Sequence, residues 1–223
     1  AYTEGLVAMN MNYFAFMPAL ANKASNPFAE QTGFVRQLTL WVFDRAAAIC
    51  GQLGEQGQTL RLSINLSTRD MLDVELPARL EQILQRHQAP ADAFCLEITE
   101  SAIMDDPQRA LATLNTLSQR GFALSIDDFG TGYSSLAYLK RMPLFELKID
   151  KSFVQDTPAD PSDTAIVQTI LAVARNLGLR VVAEGVETQA QADFLTTCQC
   201  DVLQGYLFGR PEPLAGWVEQ RVA

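Results

Sequence analysis

Six side chains along this chain have the chemistry that metal-assisted hydrolysis uses: Asn65, Glu97, Asp127, Asp128, Lys148 and Glu184. All but Lys148 are oxygen donors. The only histidine is His87, so imidazole-rich and soft metal centres are excluded. Carboxylate and amide oxygens suit hard cations such as Mg²⁺ or Mn²⁺. The adjacent carboxylates of Asp127 and Asp128 would repel each other without a cation between them. Two metal ions about 3.5–4 Å apart are a recurring arrangement for cutting a phosphodiester: they polarise the phosphoryl oxygen, generate the nucleophile and stabilise the leaving oxygen. Lys148 reads in two ways, as a group that orients the attacking water or neutralises developing charge, or as half of a structural ion pair.

Each of these residues also has an ordinary reading. Asn65-Leu66-Ser67-Thr68 could cap a helix, and Asp127-Asp128 could be a turn. Glu97-Ile98-Thr99-Glu100 could be a solvated strand end, and Glu184-Gly185-Val186-Glu187-Thr188 a strand exit into a helix with an acidic first turn. What argues against coincidence is their common position. Short β-branched runs occur at Leu62–Leu66, Phe94–Thr99, Ala123–Asp127, Glu146–Asp150, Arg180–Ala183 and Asp201–Leu207, and nearly all end on an acid, amide or amine, Gln204 included. Between them lie helical patterns. One runs from Pro107 to Gly121; another carries Ile166, Ile170, Val173 and Leu177, opened by Ser162 or Asp163 and closed by Gly178.

Strand–helix alternation predicts a parallel α/β sheet, and a ring of functional groups at successive strand ends predicts a TIM-like (β/α)8 barrel. An open doubly wound sheet would instead gather its site behind a Gly-rich turn, and no such motif occurs. Neighbours on a strand face opposite ways, so Asp127 and Asp128 can both face the site only if the strand ends between them. Six strands are counted, with a further one at Tyr13–Met17, which leaves one missing from a barrel of eight. The polar tail Ala21–Asn26 runs abruptly into a helical stretch at Pro27–Ala48, which places the missing strand at the Asn26–Pro27 junction, either as a native segment not represented in this sequence or as a true deletion.

Composition sets the outer limits. The chain has 223 residues, 48% hydrophobic and 19% charged, which fits one globular domain over residues 1–223. A net charge of −9 argues against a nucleic acid polymer as partner, yet permits a small anion if cations stand between. Cys50, Cys95, Cys198 and Cys200 form no CxxC pair and read as reduced, mostly buried thiols of a cytoplasmic protein. No signal peptide is visible, and no segment is expected to insert into a membrane. His87 reads as a surface residue at the end of a polar helix.

The run Asp127-Asp128-Phe129-Gly130-Thr131-Gly132-Tyr133-Ser134-Ser135-Leu136 resembles the signature loop of EAL-domain cyclic di-GMP phosphodiesterases. So do Asn65-Leu66-Ser67, Leu96-Glu97-Ile98-Thr99-Glu100-Ser101, Leu147-Lys148-Ile149-Asp150, Ala183-Glu184-Gly185-Val186-Glu187-Thr188 and Gln204-Gly205-Tyr206, in the family's order from about Pro27 to Pro213. The resemblance implies hydrolysis of one phosphodiester of cyclic di-GMP to linear pGpG at a two-metal site. Asn65, Glu97, Asp127 and Asp128 would hold the metals, and Lys148 and Glu184 would position or activate the water. Glu100 would brace the loop that follows Asp128, while Glu187 and Gln204 would support the site. It further implies a homodimer and a longer parent protein with sensor or GGDEF modules upstream. Two features depart from the family. The Glu-Ala-Leu segment with its first metal ligand is not in the sequence, and Met17-Pro18 stands where Gln-Pro is usual. These departures favour, as an alternative, a receptor that binds cyclic di-GMP without cutting it. A different Mg²⁺-dependent barrel enzyme acting on an enolisable acid is the third reading.

Overall fold

A computed structural model describes residues 8–10, 34–132 and 136–210. Seven parallel strands form one sheet in which spatial order equals chain order: β1 (Ala8–Asn10), β2 (Arg61–Leu66), β3 (Phe94–Thr99), β4 (Ala123–Phe129), β5 (Glu146–Ile149), β6 (Arg180–Ala183) and β7 (Val202–Leu203). The helices between them are α1 (Phe34–Glu55), α2 (Thr68–Met71), α3 (Leu76–His87), α4 (Glu100–Met104), α5 (Pro107–Gln119), α6 (Leu136–Leu139), α7 (Lys151–Val154), α8 (Pro161–Leu177) and α9 (Gln189–Thr197). This is the α/β, TIM-like barrel architecture that the alternation predicts. Among the described residues, β1 and β7 are each paired on one side only. Tyr13–Met17, Met17-Pro18 and the Asn26–Pro27 junction all lie outside the described residues.

The two faces of the sheet have opposite characters, because side chains alternate along a strand. Register aligns Leu62 with Phe94, Ile64 with Leu96, Leu96 with Leu124, Ile126 with Leu147, and Leu147 with Val181. All of these are buried and belong to the main apolar core with the helices. Phe43 of α1 joins that core, its ring 4.8 Å from Phe94 and 5.9 Å from Phe122. The other face carries Ser63, Asn65, Cys95, Glu97, Ser125, Glu146 and Lys148, so the interior of this barrel is polar.

Several boundaries differ from the sequence reading, each for a local reason. α1 continues to Glu55, beyond the expected end at Ala48. Gly51 is where α3 crosses: a Cβ there would lie 2.1 Å from the His87 carbonyl oxygen, so packing overrides helix propensity. α8 opens on Asp160 rather than on Ser162 or Asp163. The Asp160 carboxylate accepts from both of those N–H groups, at 2.7 and 3.0 Å, and Pro161 takes the first helical position. Its close at Gly178, φ 70°, follows the prediction. β5 ends one residue early because Asp150 caps α7, accepting from Ser152 N–H at 2.9 Å. Thr188 caps α9 in a reciprocal box with Gln191, which replaces the acidic first turn expected there. His87 is half-buried rather than free on the surface, with Nε2 3.0 Å from Asp44 Oδ1. The four thiols are free; Cys50 and Cys95 are buried, while Cys198 and Cys200 are partly exposed. Among the described residues no helix is long and apolar enough to cross a membrane.

Candidate active site

Lys148 is the hub. It lies on the polar face of β5, is 1% exposed, and places Nζ 2.9 Å from Glu97 Oε2, 3.0 Å from Asp127 Oδ1 and 2.5 Å from Glu184 Oε1. Those carboxylates come from β3, β4 and the residue after β6. Glu184 is brought in by its own backbone, whose N–H donates to the Ile149 carbonyl at 3.2 Å. Asn65 of β2 stands in register beside Glu97.

Asp127 and Asp128 reach the site by a route that the sequence reading did not foresee. β4 does not end between them; it runs on to Phe129. Ile126 pairs with Leu147, but the next pair is Phe129 with Ile149, so β4 holds one residue more than β5 over that interval. Asp128 sits in this bulge at φ 53°, a left-handed conformation that Asp tolerates better than most residues. The bulge breaks the alternation, and carboxylate oxygens of Asp127, Asp128 and Glu184 lie within 4.8 Å of one another. Beyond it the chain is held by Glu100, a buried acid at the start of α4. Its Oε2 accepts from Gly130 N–H and Gly132 N–H, each at 3.3 Å. A side chain at Gly132 would meet the Glu100 carboxyl carbon at 2.9 Å, and Gly130, at φ 99°, lies against the Phe153 ring.

Electrostatics leave this cluster short of positive charge. Burial alone would favour the neutral amine of Lys148, but Glu97, Glu184 and Asp127 outweigh it and hold its pKa well above the ordinary lysine value. Burial pushes Glu97 up to about 7, with Lys148 pulling the other way. Glu184 is raised for the same reason and against the same pull. Asp127 Oδ1, though close to the ammonium, is charge-paired but has no hydrogen-bond donor among the described residues. Three carboxylates around one ammonium, with Asp128 beside two of them, are all hard oxygens and fit a divalent cation.

The structure thus gathers Glu97, Asp127, Asp128, Lys148 and Glu184 and puts Asn65 alongside them. Glu100 sits beneath the loop. Gln204 follows β7, and its backbone ties down the Glu184 segment: its N–H donates to Ala183 O at 2.9 Å and its carbonyl accepts from Val186 N–H at 3.0 Å. Glu187 is exposed, its N–H bonded to Gln191 Oε1 at 2.8 Å. A lower layer escaped the sequence reading. Glu146 is buried, its carboxyl raised by that burial and opposed by Arg180, Lys148 and Arg61, and Cys95 Sγ lies 3.8 Å from it. Its signal was the same alternation that turns Lys148 inward, two residues on.

Comparison with known proteins gives a consistent set of relatives. The family model described as EAL domain matches residues 19–211. The bifunctional diguanylate cyclase/cyclic di-GMP phosphodiesterase MucR of Pseudomonas aeruginosa is 45% identical over 188 residues, 84% of this chain and 27% of that protein. The cyclic di-GMP phosphodiesterase PdeR of Escherichia coli is 36% identical over 186 residues, 83% of this chain and 28% of that protein. The chain therefore spans about a quarter of the length of these curated relatives. The solved PaMucR phosphodiesterase–c-di-GMP complex superposes with a TM-score of 0.82 at 44% identity, covering 86% of this chain and 78% of that one. The manganese/cyclic di-GMP complex of Klebsiella pneumoniae BlrP1 gives 0.71 at 31% identity, covering 78% of this chain and 44% of that one.

Proposed function

The chain belongs to the EAL domain family, and on that premise we propose that it hydrolyses one phosphodiester bond of cyclic di-GMP, giving linear pGpG, with Mg²⁺ or Mn²⁺ as cofactor. The observation that carries this reading is the buried Lys148 ammonium within about 3 Å of carboxylates from three separate segments, beside a cluster with negative charge to spare. Asn65, Glu97, Asp127 and Asp128 would hold the cations. When bound, these supply Lewis acidity toward the phosphate oxygens and the attacking water. Lys148 keeps its proton at Nζ and presents it to the oxygen that gains negative charge as phosphorus is attacked. Glu184, hydrogen-bonded to that ammonium, is the carboxylate placed to take the proton of the attacking water. Glu100 keeps the Asp128 loop in place, with Gln204 and Glu187 supporting the Glu184 segment. The domain would work as a homodimer, in the cytoplasm, within a longer protein that carries sensor or GGDEF modules.

The test is pGpG release from cyclic di-GMP by the full protein, with Mg²⁺ or Mn²⁺ and with chelator. Metal-dependent product supports the reading; no product above the chelated blank overturns it. One sequence feature favours a second reading, a receptor that binds without cutting: Met17 stands where the family has Gln, and a thioether cannot offer the amide hydrogen bonds. Calorimetry separates the two, since a receptor binds cyclic di-GMP tightly in chelator and releases nothing.

A further inference from the structure

Asp70, the third residue of α2, is 1% exposed, and Thr39 of α1 is fully buried. Oδ2 of Asp70 accepts from Ser67 N–H at 2.8 Å, Ser67 Oγ at 2.6 Å and Thr39 Oγ1 at 2.9 Å. Oδ1 is buried with no hydrogen-bond partner among the described residues. Ser67 and Asp70 form a capping box, but a capping box works with its acid in water, and burying a carboxylate with one oxygen unsatisfied is costly. The capping role therefore does not account for the burial. The contact that Asp70 makes beyond the box is the one to Thr39, across 31 positions of sequence. Among the described residues the Thr39 hydroxyl hydrogen has two acceptors in reach, Asp70 Oδ2 and the Val35 carbonyl at 3.0 Å, and the carboxyl contact is the shorter.

This strap ends at the candidate site. Ser67 is two residues beyond Asn65, and Asp70 holds both its hydroxyl and its backbone N–H, where the chain leaves β2. We propose that Asp70 and Thr39 are positioning residues which, by fixing the exit of β2 against α1, set the orientation of the Asn65 amide for cation binding. The inference rests on the reading of Asn65 as a metal ligand. Groups that orient metal ligands from behind typically change affinity by about 10- to 100-fold when removed.

Thr39→Val keeps the volume and removes only the hydroxyl. Mn²⁺ binding to the full protein, measured by calorimetry without substrate, is expected to weaken about tenfold in Thr39→Val and to recover in Thr39→Ser. Wild-type Mn²⁺ affinity in Thr39→Val, with or without a lower melting temperature, overturns the inference if Asn65→Ala binds more weakly, because the strap would then be structural alone. Unchanged affinity in Asn65→Ala overturns the ligand reading of Asn65 itself, and the inference with it.

Discussion

Lys148 is the residue on which the carboxylate cluster depends. Without it, Glu97, Asp127 and Glu184 face one another in a buried space, and removing one partner of a buried ion pair typically costs about 3–5 kcal/mol. Lys148→Met, which keeps the aliphatic length, is expected to lower metal-free stability by that order and to abolish turnover. Mn²⁺ should then raise its melting temperature more than it raises that of the wild type; an equal rise in both would separate the lysine from the cation site. The carboxyls set a pH dependence whose sign can be worked out. Glu97 is lifted from its ordinary value of 4.5 to about 7, and Glu184, Glu146 and Asp70 are lifted in the same direction. A carboxyl with a raised pKa keeps its proton in the fold after the unfolded chain has lost it, so between about 4.5 and 7 stability falls as pH rises. Lys148, raised above its ordinary value, contributes throughout that window and loses its contribution only in strong alkali. Urea midpoints of the metal-free protein are therefore expected to be higher at about pH 5 than at about pH 7.5, with a shallower fall in Glu97→Gln. Equal midpoints at the two pH values would contradict this account.

At the scale of elements, strand ends supply the groups and the loops between them set their aim. The Asp128 loop shows how tightly: Glu100 on α4 receives two backbone N–H groups from it, and Gly132 leaves no room for a methyl against the carboxyl. Gly132→Ala is expected to force Glu100 aside and cut turnover at least tenfold, while overpacking lowers stability by about 1–3 kcal/mol. Undiminished turnover in that variant would mean that the loop is not coupled to the site. The elements themselves were largely legible in the sequence. Phe94–Thr99 and Arg180–Ala183 run as their apolar patterns predicted, and Pro107 and Gly178 marked a helix start and a helix end. What could not be read was tertiary in origin. Nothing local says that α1 continues through Gly51, because the reason is a carbonyl of α3; nor that His87 meets Asp44, 43 positions away. The bulge at Asp128 was equally hidden: two acids in a row fit a turn, a strand end or a bulge, and only the register of β5 decides.

For the whole molecule, one simple rule accounts for the site. A parallel sheet whose strands follow chain order brings every strand exit to one end, so residues as far apart as Glu97 and Glu184 meet at one ammonium without any long crossing connection. Helices cover the apolar face, and the polar face is turned inward, where Glu146 and Lys148 occupy successive layers. The spacing of acids in the sequence therefore anticipated which side chains gather at the strand ends, whereas the interior polar layer beneath them was visible only as alternation. The bulge in β4 has a consequence for inheritance. Removing Asp128 alone would leave Ile126, Asp127 and Phe129 opposite Leu147, Lys148 and Ile149, an unbroken register with the following loop still attached at the same pair. Loss of a single codon is thus expected to yield a barrel that still folds, as circular dichroism and urea titration would show, but no longer holds Mn²⁺. A lineage could shed the chemistry in one step and keep the scaffold for another use.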